Sequence, residues 1–260
     1  MIKRFCSQAW ICAKVKQSGI DIIEFLVYRL IISVLTLVFY CLIAKYVTSQ
    51  VDLTRWVIGN SFTLCVYECV FGIGGSFDEE RYYGRLRLII VSPTSKLTVI
   101  MYSGIYSMLV ASITIILALL FGGLIFNIQF SSLNINMIMI SIFSAAFSCV
   151  GLGFVLSVFA LITDSMYLML NLTGLLLMIY SGANFPISQL PYFFQLFSNV
   201  FPLYRSITAA NLSFSGNIDS HYLGLICGEL LLGVAYLITA FILIRHIEHI
   251  AIRKATLEVF

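Results

Sequence analysis

Residues 56–75, WVIGNSFTLCVYECVFGIGG, are followed by residues 78–93, DEERYYGRLRLIIVSP, and then by residues 97–126, LTVIMYSGIYSMLVASITIILALLFGGLIF. Two apolar runs enclose a charged island. Each run reaches the roughly 20 residues that a helix needs to cross a bilayer. Asp78, Glu79, Glu80, Arg81, Arg85 and Arg87 crowd into the island, although only 10% of the chain is charged. Charges inside hydrocarbon are expensive, so the island belongs outside the membrane and the flanking runs inside it.

The rest of the 260 residues agree: 60% are apolar and the mean hydropathy is +1.01. Soluble domains hold about 45–50% apolar and about 25% charged residues. The reading is an all-α integral membrane protein with one transmembrane domain over 1–260. Continuous, non-alternating runs argue against a strand barrel. A net charge of +3 gives no reason to expect a nucleic-acid partner. Seven scattered cysteines form no CxxC pair; Cys65 and Cys69 share a helix face and read as small buried hydrophobes. No metal cluster is expected.

Six runs read as spans: residues 28–46, 56–75, 97–126, 135–162, 166–183 and 222–244. Lys and Arg bias orients them. Lys3, Arg4, Lys14 and Lys16 precede the first span; Arg81, Arg85, Arg87 and Lys96 lie between the second and third; Arg245, Arg253 and Lys254 follow the sixth. With six spans all three groups share one side, so both termini are expected in the cytoplasm. Residues 1–24 read as an amphipathic segment lying on the membrane face. Arg29 reads as a snorkelling residue.

Residues 184–211, NFPISQLPYFFQLFSNVFPLYRSITAAN, break the pattern. They are apolar, yet Pro186, Pro191 and Pro202 cut them into pieces too short to span. Phe194, Phe197, Val200 and Phe201 recur at helical spacing. The expectation is a short helix dipping into the outer leaflet, a second short helix after Pro202, and several aromatics buried against the spans. Phe194 and Phe197 are candidates for the wall of a transport pathway. So are two carboxylates inside spans, Glu68 and Glu229, because an intramembrane acid is a functional candidate by default. Glu229 lies about two turns from the outer surface, close enough to reach water. The alternative for both acids is a hydrogen-bonded carboxyl at a dimer seam, meeting Asn60, Asn171 or a tyrosine. Gly224 and Gly228 form a GxxxG, and Gly151 and Gly153 sit in another span, all suited to close helix contact.

Read as a helix, the island places Tyr82, Leu86 and Ile89 on one apolar stripe. Asp78, Arg81 and Arg85 lie on another side, with acids in the first turn and Pro93 ending it. Such a helix lies at the interface and offers its charges to the cytosol. Its order of acids, Gly84-Arg85-Leu86, an aliphatic run and Ser92-Pro93 resembles the first cytoplasmic loop of type 2 ABC exporter permeases. The likeness extends along nearly the whole chain: an N-terminal interfacial segment, six spans, a charged loop after the second, and an outer hairpin carrying Phe185-Pro186, Leu190-Pro191 and Phe201-Pro202. The family usually has Thr where Arg85 stands and often an acid where Arg87 stands, which makes this loop more basic.

The resemblance implies that residues 78–96 form a coupling helix, with Glu79, Glu80, Arg81, Gly84, Arg85 and Leu86 docking on a separate ATPase subunit. It implies a second permease, identical or sibling, and a place in a cell membrane, that of a bacterium. ATP and Mg would be held by the partner. The chain itself shows no GxxxxGK[ST] and no GxGxxG after a strand, so no cofactor and no catalytic residue is expected in it. An apolar, aromatic-rich bundle suits an amphipathic or lipid-like cargo moving outward. The rival readings are a secondary transporter or channel, and an intramembrane enzyme. Glu79-Glu80 resembles the start of an EExxxR motif, but Gly84 stands at its Arg position.

Overall fold

A computed structural model describes residues 22–48, 53–75, 96–128, 133–160, 163, 165–215 and 220–254. Among these residues every regular element is helical and no strand occurs. Four helices are long and apolar enough to cross a membrane: Thr54–Gly74, Ser103–Phe126, Ile135–Phe159 and Ser220–His246. By length and composition this is a membrane protein. Two shorter apolar helical stretches, Ile31–Val47 and Met166–Tyr180, accompany them.

In chain order the elements are α1 (Ile22–Thr48), α2 (Thr54–Gly74), α3 (Lys96–Phe126), α4 (Ile135–Phe159) and α5 (Met166–Tyr180). A 3-10 turn over Ile187–Gln189 leads into α6 (Tyr192–Ser198), α7 (Tyr204–Leu212) and α8 (Ser220–Lys254). The boundaries follow local chemistry. Asn134 caps α4, its Oδ1 accepting from the Met137 N–H. α3 gives way at Asn127 (φ +52), and α5 is followed at Gly182 (φ +72), left-handed positions that Asn and Gly tolerate. α2 is not uniform: Thr54–Thr63 is α-helical and Val66–Phe71 is π-helical.

α4 is the centre. It packs most broadly on α8 and also meets α2, α3, α5 and α7; α1 lies outside, against α2 and α3. Gly151 and Gly153 explain how α4 is held on two sides. A Cβ on Gly151 would sit 2.8 Å from the Gly233 carbonyl of α8, and one on Gly153 would strike the Cys69 carbonyl of α2. Two residues apart, they face opposite sides of one helix. The two glycines of the GxxxG have different surroundings within the chain: Gly224 faces open space, and Gly228 lies against the Arg205 side chain. Cys65, Cys69 and Cys149 are fully buried, as expected of small hydrophobes, with the Cys65 and Cys149 sulfurs 3.3 Å apart.

Residues 1–21 and the loop carrying Glu79, Glu80, Arg81, Gly84, Arg85 and Leu86 lie outside the described residues.

Candidate functional site

A polar seam runs through the apolar contact between α4, α7 and α8. Ser141, Ser144 and Ser148 follow i, i+3, i+7 along one face of α4, and all three are fully buried. Each meets a different partner. The Tyr222 hydroxyl of α8 donates to the Met137 carbonyl at 2.7 Å and lies 3.4 Å from Ser141 Oγ. Ser144 Oγ is 2.9 Å from Ser206 Oγ of α7. Ser148 Oγ donates to Glu229 Oε1 at 2.5 Å.

Glu229 is the pivot of this seam. It is fully buried within the chain, although it lies only about two turns from the outer surface. The reason is α7, which returns from the hairpin and packs against both α4 and α8. Its Oε1 also accepts the Leu203 backbone N–H at 2.9 Å, while Oε2 is buried with no hydrogen-bond partner. Leu203 needs holding. It is a bulky residue at φ +84, in a region that costs roughly 1–3 kcal/mol and persists where surrounding structure imposes it. Here a carboxylate catches the strained amide and α7 begins at the next residue.

The remainder of residues 184–211 is tied down in the same way, backbone to side chain. The Trp56 indole N–H donates to the Asn184 carbonyl at 3.1 Å. The Tyr236 hydroxyl donates to the Val200 carbonyl at 2.5 Å. Gln195 Nε2 donates to the Leu190 carbonyl at 2.7 Å, closing the turn before α6. Tyr180 stacks on Phe201 with centroids 5.1 Å apart. Depth follows from α8: at 1.5 Å per residue Glu229 and Tyr236 lie about 14 Å and about 24 Å along the helix from Ser220. The link between α6 and α7 therefore lies against the middle stretch of α8.

The two short helices appear where the prolines place them, but the aromatics of α6 are not buried in the single chain. Phe194 and Phe197 remain 45% and 42% exposed, and Phe193 more so, while Ser198 is buried. Glu68 is in a different setting, half-buried on the π-helical stretch of α2. Asn60 and Asn171 each donate to a carbonyl one turn back in their own helix, Trp56 O and Tyr167 O. A shallow groove of about 100 Å³ lies beside this stretch, between α2 and α5, with Thr63, Tyr67, Phe71 and Asn171 on its walls.

Sequence reasoning missed Ser148, Leu203, Trp56 and Tyr236. The serine spacing on α4 was a visible signal; the partners, 81 positions away for Ser148–Glu229, were not. Among the described residues no cluster of three metal-ligating side chains occurs. No family model matches the chain, and no curated protein matches it.

Proposed function

We propose that the chain is the membrane-spanning permease subunit of a type 2 ABC exporter, moving an amphipathic or lipid-like molecule outward. In this reading six helices span the membrane, the two shorter apolar stretches counting with the four long ones. Residues 1–24 lie on the cytoplasmic face, and residues 78–96 dock on a separate ATPase that binds ATP and Mg. Residues 184–211 form an outer re-entrant hairpin. The observation that carries the proposal is the anchoring of that hairpin at depth. Glu229 and Tyr236 hold backbone groups of residues 200 and 203 against the middle of α8. Non-helical backbone at membrane depth is tolerated where protein buries it or a cavity borders it.

A second permease copy fits the α2–α5 face. Asn171 and Tyr67 are exposed there, beside half-buried Glu68. Polar groups turned toward lipid are costly, whereas facing another copy across a pathway they are not. A secondary transporter typically carries chains of buried charge; among the described residues Glu229 is the one buried carboxylate.

The test begins with a search of the flanking genes for a P-loop ATPase, which the proposal predicts, and with co-expression of the chain and that ATPase. The two should co-purify from detergent, and replacing Glu79, Glu80 and Arg81 together by Ala should weaken the complex while the permease stays in the membrane. Failure of the wild-type pair to associate, or equal association of the triple variant, would count against the proposal.

A further inference from the structure

A second recess lies beside the first turn of the hairpin, away from Glu229 and α8. It encloses about 640 Å³ where the end of α1, the start of α2 and residues 184–189 meet. That volume is in the range of small-molecule sites, about 300–1,000 Å³. The lining is divided by chemistry. Ile43 and Val47 of α1 form an apolar wall that continues along the exposed apolar side of that helix through Leu42, Phe39 and Leu35. Arg55, Asn184 and Gln189 supply the polar part of the lining.

Arg55 is exposed. The wall beside it is fixed, because the Trp56 indole is hydrogen-bonded to the Asn184 carbonyl. α1 ends at Thr48 and α2 begins at Thr54, so the cavity sits at the level where spans meet water and where Trp and Tyr belts lie. A cation at headgroup level above an apolar wall matches one kind of ligand.

We propose that this cavity binds a phospholipid with an anionic headgroup. The phosphate takes the planar guanidinium of Arg55, whose fork matches its oxygens. The amides of Asn184 and Gln189 hydrogen-bond the head, and an acyl chain lies along Val47, Ile43 and Phe39. Because the bound head touches Asn184 and Gln189, it also bears on the first turn of the hairpin. This inference requires only that the chain sits in a membrane. It stands or falls without any ATPase.

Trp56 is the built-in reporter. The chain has two tryptophans, so Trp10→Phe leaves Trp56 as the single one. The full-length protein is placed in phosphatidylcholine vesicles containing increasing fractions of either brominated phosphatidylglycerol or brominated phosphatidylcholine, and quenching is measured. Brominated phosphatidylglycerol should half-quench at a fraction about fivefold lower, the preference expected from one cation at the surface. Arg55→Gln should bring the two lipids together. Lys45→Gln, which removes a nearby charge outside the cavity lining, should keep the preference. Millimolar inorganic phosphate should leave the quenching by phosphatidylglycerol unchanged. Equal quenching by both lipids, a preference that survives Arg55→Gln or is lost equally with Lys45→Gln, or displacement by inorganic phosphate would each overturn the assignment.

Discussion

Glu229 ties α8 to α4 and to the start of α7. Ser148 Oγ and the Leu203 N–H both end on Oε1, and Oε2 is buried without a partner. A neutral amide can supply the same acceptor. Glu229→Gln should therefore cost less than Glu229→Ala, which strands a buried backbone donor and opens a void, costing about 2–3 kcal/mol. Apparent melting temperatures of the purified variants decide this; equal loss in both would mean that the charge itself is required. Leu203 gives a sharper test. Its side chain is fully buried, so any truncation destabilises. At φ +84, however, Gly escapes strain that Ala retains. Leu203→Gly should be at least as stable as Leu203→Ala, the reverse of their usual order within a helix. A clear advantage for Ala would show that the positive φ is not imposed.

At the scale of elements, α4 is held by small residues on opposite sides. Gly151→Ala drives a methyl against the Gly233 carbonyl, so the α4–α8 contact must open. Gly224→Ala adds the same methyl into open space and gains helix propensity of up to about 1 kcal/mol. The first variant should melt several degrees lower than the parent, and the second should melt at or above it. Matching losses would return the packing role to the GxxxG pair. Much of this scale was legible in the sequence. Apolar runs beginning at Ile135 and Met166, and one ending at Phe126, coincide with helix ends, because hydrophobic length and caps such as Asn134 and Asn127 are local properties. The proline-bounded α6 and α7 were legible for the same reason. The π-helical turn at Val66–Phe71 was not, since a single extra residue in a helix leaves no pattern in composition. Nor was the burial of Glu229, which depends on α7 folding back across a distance no local signal spans.

For the whole molecule, the proposed topology puts three basic clusters on one side of six spans. In a cysteine-free background, a Cys at position 130 or 217 should react with a membrane-impermeant maleimide in intact cells, and a Cys at position 84 should not. Labelling at 84 from outside would reverse the orientation and remove the docking loop from the cytosol. The central claim, that this permease is driven through that loop by a separate ATPase, is tested most directly by ATP hydrolysis in proteoliposomes. The purified chain reconstituted with the ATPase that co-purifies with it should hydrolyse ATP faster than that ATPase alone. The variant with Glu79, Glu80 and Arg81 all replaced by Ala should fall to the rate of the ATPase alone. A triple variant that supports the wild-type rate would contradict the account.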